Sequence, residues 1–333
     1  MNAGIDPALK SGIEEAGKIV AQVRSEVGKV LVGQKHLLDR LIAALITNGH
    51  ILLEGVPGLA KTLAIKALAR TITVDFSRIQ FTPDLLPADL IGTRIYDPQK
   101  TAFFTHKGPI FAQFVLADEI NRAPAKVQSA LLEGMEERQV TIEHETFKLP
   151  EPFLVLATQN PIETEGTYAL SEAQVDRFLF KVNVGYPGFE EERLVVQRMG
   201  LAEEAHTLDV IKPVLDAKSV AGLREMAKKV YVDEKIVEYI LRLVDATRRP
   251  QEYRLELKGY IRYGASPRAS IYLARAARAI ALIAGRPYVK PDDVKAILPD
   301  ILRHRIIPTY EAEADEIDSE EIVRRLSDGV PVP

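Results

Sequence analysis

One turn of eight residues, Gly55-Val56-Pro57-Gly58-Leu59-Ala60-Lys61-Thr62, constrains this chain more than any other stretch. The apolar run Ile51-Leu52-Leu53-Glu54 precedes it, and apolar residues at helical spacing follow over 62–71. Strand, glycine-rich turn and helix is the order in which successive backbone N–H groups curl around an anion. The positive end of the helix adds to that field. Lys61 can reach the outer phosphates of a nucleotide, and the Thr62 hydroxyl can ligate Mg²⁺. Residue 60 departs from the usual pattern, with alanine where a glycine precedes the lysine. If that backbone needs a positive φ, alanine resists it. The loop then either keeps Ala60 at negative φ or carries strain. A strand–turn–helix connection with chance glycines would show the same letters.

A second element decides between these readings. Phe114-Val115-Leu116-Ala117-Asp118-Glu119 is an apolar strand that ends in two acids. Asp118 at the strand tip can hold Mg²⁺ through its water shell, and Glu119 can polarise an attacking water. Two acids on a strand end are common by themselves. Downstream of a phosphate-binding turn they point to nucleotide hydrolysis.

Apolar spacing organises the rest. Ile13, Ala16, Ile19, Val20, Val23, Val27 and Val30 predict a helix, with Ser11 and Glu14 as its capping box. Val32-Gly33-Gln34 breaks it, and 35–48 reads as a second helix closed by Gly49. Apolar runs at 76–81, 114–117 and 153–157 read as buried strands with helical segments such as 126–137 between them, which suggests a parallel sheet covered on both faces. Residues 91–111 and 139–149 do not fit that alternation and read as inserted hairpins. A boundary falls near Tyr186-Pro187-Gly188. Beyond it the predicted helices are 219–230, 233–248 with Asp233 as N-cap, 267–284, and 291–301 with its N-cap at or beside Asp292. Seven acids among the eleven residues 311–321 read as a solvated, partly mobile tail with one short helix from Ser319.

The 333 residues suit two domains, residues 1–186 and 187–333. A net charge of −4 argues against coating nucleic acid by bulk charge, although a local basic patch stays open. No cysteine is present, which removes disulfides, thiolate metal sites and a cysteine nucleophile. The six histidines form no H-x-x-x-H pair, and there is no G-x-S-x-G. The longest apolar stretches fall far short of the roughly 20 residues a spanning helix needs. The N-terminus lacks the basic and apolar regions of a secretory signal. The chain therefore reads as cytoplasmic.

With these residues the chain resembles the AAA+ ATPases, and within them the MoxR family, over nearly its whole length. The stretches that carry the resemblance are Val32-Gly33-Gln34, the turn with its alanine, Asp118-Glu119-Ile120-Asn121-Arg122-Ala123 and 128–137. Further ones are Ala157-Thr158-Gln159-Asn160-Pro161, Ala173-Gln174-Val175-Asp176-Arg177-Phe178, Ser266-Pro267-Arg268 and Val330-Pro331-Val332-Pro333. MoxR-like turns often lack the glycine at the Ala60 position. The resemblance implies an α/β AAA+ core with a parallel sheet and inserted hairpins, followed by a small all-α lid.

It also implies roles. Gly55 to Thr62 would bind ATP, with Thr62 and Asp118 on Mg²⁺ and Glu119 on the water. Asn160 matches the first sensor, although an Asn before Pro161 also reads as a turn former. Arg177 matches the arginine finger that acts on a neighbour's nucleotide, and a surface arginine after a helix would look the same. Arg268 matches the second sensor on a lid, in its own subunit or the next, and reads otherwise as a plain helix-start residue. Arg177 precedes the run 178–184, expected as the last strand beside the one carrying Asn160. The hairpins, at about 91–108 and 138–149, match inserts that related rings point at a central pore. There Tyr96, Phe103 and Phe104 either grip a substrate or pack on their own base.

The function implied is an ATP-driven, chaperone-like remodelling ATPase of the MoxR type. It would form a hexameric homo-oligomeric ring and act on client proteins beside a partner with a von Willebrand factor A domain. The rival is a nucleic-acid motor of the helicase-related branch. A nucleotide-gated scaffold is a third class, which the intact Glu119 argues against.

Overall fold

The computed structural model describes residues 7–163, 165–200 and 208–333. His206 and the first six residues of the polar N-terminus lie outside the described residues.

Helix α1, Pro7–Val27, starts a turn earlier than its apolar spacing predicts. Proline lacks the N–H that a first helical residue leaves unused, so Pro7 opens the helix, and Ser11 and Glu14 lie inside it rather than at a capping box. Gln34 in the left-handed region opens α2, Lys35–Thr47, and Asn48 in the same region closes it. Strand β1, Ile51–Glu54, leads through the turn into α3, Lys61–Arg70. A two-residue β2, Ile72–Thr73, and β3, Phe76–Gln80, follow. A short α4, Pro87–Ile91, precedes the first hairpin, β4 (Gly92–Asp97) and β5 (Ala102–Lys107). Strand β6, Phe114–Asp118, and α5, Ala125–Glu137, come next. The second hairpin is β7 (Gln139–Ile142) and β8 (Glu145–Lys148). Strand β9, Leu154–Gln159, the short α6, Glu172–Val175, and β10, Phe180–Asn183, complete the core.

The main sheet has the order β10-β1-β9-β6-β3, with β1, β9, β6 and β3 paired in parallel. The expected neighbour of the last strand is thereby corrected. β10 stands at the edge beside β1, where Val184 N donates to Glu54 O at 2.7 Å, and β1 separates it from the strand that carries Asn160. Burial explains the order. Ile51, Leu52 and Leu53 are all fully buried, as a central strand covered on both faces requires. β10 alternates buried Phe180 and Val182 with more open Lys181 and Asn183, the pattern of an edge strand.

The core beneath this sheet gathers Leu52, Phe81, Val115, Leu131, Val155 and Phe178. A polar cross-tie fixes its lower end. Arg138, the left-handed residue that ends α5, donates to Asn48 O at 2.7 Å and to Phe153 O, so it holds the starts of β1 and β9 together. His50 accepts from Val155 N at 2.9 Å through Nδ1, which leaves Nε2 to donate to Met135 O at 3.2 Å.

Both hairpins form where the sequence reading puts them. Gly92 pairs with Lys107 and Asp97 with Ala102, so residues 98–101 make the turn, and Asp97 Oδ1 accepts from Gln99 N at 2.9 Å. Tyr96 and Phe103 face each other across the strands with ring centroids 5.2 Å apart, yet Phe103 keeps 60% of its surface exposed. The two hairpins touch through Arg94 and Glu143 at 3.5 Å and Thr105 and Glu145 at 3.4 Å.

The remaining elements are α7 (Phe189–Val195), β11 (Leu215–Asp216), α8 (Ala217–Lys229), α9 (Glu234–Ala246) and β12 (Ile261–Tyr263). They continue with α10 (Pro267–Ile283), α11 (Pro291–Leu302), β13 (Ile307–Pro308), α12 (Tyr310–Ala314) and α13 (Ser319–Gly329). Asp233 caps α9 as expected and accepts from Lys235 N at 3.0 Å. The cap of α11 is Lys290, whose N–H donates to Asp293 Oδ2 at 2.7 Å, and Asp292 belongs to the first turn. The acidic stretch has the expected helix from Ser319, α13, and keeps Glu311, Glu313, Asp315, Glu316 and Asp318 exposed, but it also forms α12, and Ala312 in α12 and Ile322, Val323 and Leu326 in α13 are buried. Charge pairing disposes of part of the acid. Arg303 meets Glu320 at 2.7 Å, and hydrogen bonds from Arg324 and Arg325 hold the Glu321 carboxyl down at about 2. No described helix is long and apolar enough to cross a membrane.

Packing groups the described residues of Gln22–Phe178 and Val182–Ala221 in one unit, and those of Met1–Ala21, Leu179–Lys181 and Gly222–Pro333 in another. These units differ from a single cut at 186/187 at both ends. The first half of α1 joins the helical unit because Gly17 lets it approach Gly285 closely, where a Cβ would lie 3.1 Å from the Gly285 Cα.

At the neck of the first hairpin, a Cβ on Gly108 would meet Leu90 O at 2.3 Å and Gly92 N at 2.7 Å. Gly108→Ala should therefore cost about 1–3 kcal/mol in urea unfolding. Replacing the turn at 98–101 with a shorter glycine turn should leave the midpoint unchanged, since turn tips tolerate change. Equal losses from both would mean the whole hairpin belongs to the folding core.

Candidate functional site

The C-terminal ends of parallel strands are where the loops of an open α/β sheet create a crevice. Here β1, β6 and β9 end together. The turn after β1, Asp118 and Glu119 at the end of β6, and Thr158, Gln159 and Asn160 at the end of β9 line one cavity of about 390 Å³. Of the residues singled out in the sequence, Pro57 to Thr62, Asp118, Glu119 and Asn160 all line it. Gly55 and Val56 enter through their carbonyls, both held by Lys61 Nζ, at 3.2 Å in the case of Val56.

The question over Ala60 has a definite answer. Its φ of 57° puts it in the left-handed region, at the N-cap of α3, and Gly58 is left-handed too at 88°. The loop therefore keeps the positive φ and places an alanine there, at a cost of roughly 1–2 kcal/mol. Among the residues lining the cavity, Glu119 is a second non-glycine left-handed one, with φ 57°. Both kinks turn the chain among the residues that line the cavity.

Asp118 organises the floor. Its Oδ1 accepts from Thr158 Oγ1 at 2.7 Å and from Thr62 Oγ1 at 3.4 Å, and its Oδ2 takes both Nε and a terminal nitrogen of Arg78, at 3.0 and 2.7 Å. Thr158 Oγ1 in turn accepts from Glu119 N at 2.9 Å. Glu119 Oε2 accepts from Gln80 Nε2 at 2.9 Å and from Arg122 at 3.1 Å. Arg78 also donates to Gln80 Oε1 at 2.7 Å, so one polar chain runs from Asp118 to Glu119. Burial pushes the Lys61 ammonium below its ordinary value, while the carboxylates of Asp118, Glu119 and Glu54 pull it back. An anion in the cavity would favour the charged form further.

Arg78, Gln80, Thr158 and Arg122 received no role from the sequence. For Arg78 and Gln80 there is a signal, since polar residues at i and i+2 of β3 share one face beside the strand that ends in Asp118. Thr62 Oγ1 and Asp118 Oδ1 are hard oxygen donors on one cavity wall, the type of ligand Mg²⁺ takes. Asn160 is buried and its Oδ1 accepts from Ile162 N at 3.2 Å, which leaves its amide NH₂ as the donor for a ligand. The structure does not bring every predicted residue to this cavity. Arg177 follows α6 and precedes the edge strand β10, outside the lining. Arg268 lies in the first turn of α10, in the helical unit.

Family models match this chain in two places. Residues 50–180 match the ATPase family associated with various cellular activities (AAA), and residues 255–326 match the AAA lid domain. The chain is 52% identical over 309 residues to Chaperone MoxR1 of Mycobacterium tuberculosis, covering 92% of this chain and 81% of that one. It is 30% identical over 328 residues to Protein MoxR of Methylorubrum extorquens, covering 94% and 95%. The crystal structure of a putative ATPase from Cytophaga hutchinsonii superimposes with a TM-score of 0.90 at 50% identity over 98% of each chain. The nucleotide-type cavity, the five-stranded parallel sheet and this likeness across both regions agree, and the chain belongs to the MoxR family of AAA+ ATPases.

Proposed function

We propose that the protein hydrolyses ATP to drive a chaperone-like remodelling of protein complexes. The observation that carries the ATPase part is the meeting of an anion-binding turn, two carboxylates and a buried amide in one cavity. In this reading the N–H groups of Val56, Gly58, Leu59 and Ala60 cradle the phosphates, and Lys61 leaves its loop carbonyls to neutralise the outer ones. Thr62 and Asp118 hold Mg²⁺, which when bound supplies charge neutralisation of the phosphate oxygens. Glu119 orients and polarises the water, and Asn160 donates to that water or to the γ-phosphate. Arg177 serves a neighbour's cavity from the sheet edge, and Arg268 closes the lid side.

The remodelling part draws on the relative named as a chaperone. It implies a ring, which we take to be a homo-hexamer, in the cytoplasm, with a protein client and a partner bearing a von Willebrand factor A domain. The exposed aromatics Tyr96, Phe103 and Phe104 of the first hairpin suit contact with a protein chain. A nucleic-acid motor is less favoured, because the chain has a net charge of −4.

Lys61→Ala should abolish nucleotide binding, measured by titration calorimetry. Glu119→Gln should keep binding and lose turnover by about 10²–10⁴-fold, the usual share of a general base. Parent-rate hydrolysis by Glu119→Gln would remove its role. Arg177→Ala should bind ATP and lose turnover by about 10³–10⁵-fold, the range for such fingers. Mixed with Lys61→Ala, it should regain part of the activity in shared rings. No rescue in mixtures shown to co-assemble would place Arg177 in a structural role or in its own subunit's chemistry. Client protein should stimulate the ATPase and single-stranded DNA should not; stimulation by DNA would reverse the order of the two readings.

A further inference from the structure

Directly after Glu119 the chain makes a tight turn, Ile120–Arg122, and one side chain in it has a bonding pattern that stability does not explain. Asn121 is 4% exposed. Its Nδ2 donates to the main-chain carbonyl of Asn160 at 3.4 Å, and its Oδ1 has no hydrogen-bond partner among the described residues. A buried amide with one long bond and one orphaned acceptor stabilises a fold less than an apolar side chain of similar shape would. Such a residue calls for a reason other than packing.

The surrounding bonds show that the turn is held from the other side without it. Gln128, fully buried on α5, donates from Nε2 to Ile120 O and Ala123 O, each at 3.2 Å, and to Tyr168 O at 2.9 Å. Tyr168 N donates to Asn121 O at 2.6 Å. Arg122 reaches Glu119 at 3.1 Å and Glu163 at 3.2 Å. The Asn121 side chain is the member of this set that bonds Asn160 itself. It thus links the backbone next to Glu119 with the backbone of the residue whose amide faces the same cavity.

We propose that Asn121 is a positioning residue for hydrolysis: by holding the Asn160 main-chain carbonyl it sets the spacing between the Asn160 amide and the Glu119 carboxylate. Both groups must meet one water and one phosphate, and a misplacement of 1 Å can cost about 10² in rate. The 3.4 Å bond is long for an amide donor, as bonds that serve the reacting complex often are before ligand binds, and it shortens when nucleotide orders the Asn160 amide. This inference rests on the hydrolysis reading above.

The test uses the full chain with Asn121→Ala, and with Asn121→Asp and Asn121→Ser as variants that keep the size or the polarity of the site while removing the amide donor. Thermal melts first identify those that fold. In a folded variant, kcat for ATP should fall about 10–100-fold. KM and the ATP dissociation constant should stay within about threefold, as expected for an interaction that matters only in the transition state. Added to Asn160→Ala, the Asn121 substitution should cost nothing more, because groups that act as a unit are not additive. A folded Asn121 variant with parent kcat, or losses that simply add in the double variant, would overturn the proposal. A parent protein that hydrolyses no ATP, with Lys61→Ala binding nucleotide as well as the parent, would overturn the hydrolysis reading instead and the proposal with it.

Discussion

The Asp118 carboxylate is the point on which the cavity depends. It takes hydrogen bonds from Thr62 at the start of α3, from Thr158 on β9 and from Arg78 on β3. Those elements come from distant parts of the chain, and the carboxylate joins them at the ends of the parallel strands. A buried carboxylate left without such partners would be costly, so the three donors are as much a requirement of Asp118 as a consequence of the fold. The same arrangement brings Lys61 and Glu119 to the lining of one cavity.

Backbone conformation does the rest. Ala60 and Glu119 both occupy the left-handed region, where a Cβ is unfavourable, and both line the cavity. Such residues persist where surrounding bonds over-determine them. Thr158 bonds the Glu119 N–H, Gln80 and Arg122 bond its carboxylate, and Lys61 bonds the carbonyls at the start of the turn. Glu119 is thus held by three neighbours, and a water-activating role requires that its carboxylate be available to a ligand. In the proposed hydrolysis the bonds from Gln80 and Arg122 would be the ones to yield or share.

The helical unit is built on a different economy. Its helices are capped by Asp233, Thr309 and Asp318 and by the reciprocal bond of Lys290 with Asp293. Its acidic stretch is neutralised in part by Arg303, Arg324 and Arg325. High local charge therefore coexists with an ordered, apolar-seamed pair of helices, because spacing at three and four residues still puts Ile322, Val323 and Leu326 on one buried face.

Local chemistry made much of this legible from sequence. The glycine-rich turn between β1 and α3, the strand that ends at Asp118 just before Glu119, both hairpins and the Asp233 cap each depend on residues adjacent in the chain, and all appear where expected. Tertiary structure alone decided what depends on residues far apart. That Ala60 is left-handed follows from how the turn is held, not from its side chain. That β1 lies between β10 and β9 follows from which strands can be covered on both faces. Arg78, Gln80, Thr158 and Asn121 gained their places only when β3, β6 and β9 lined up in parallel. The physical reason is one of range: propensity, capping and turn geometry act within a few residues, whereas the partners of a buried carboxylate or amide are chosen by whatever the packed sheet brings within about 3 Å of it.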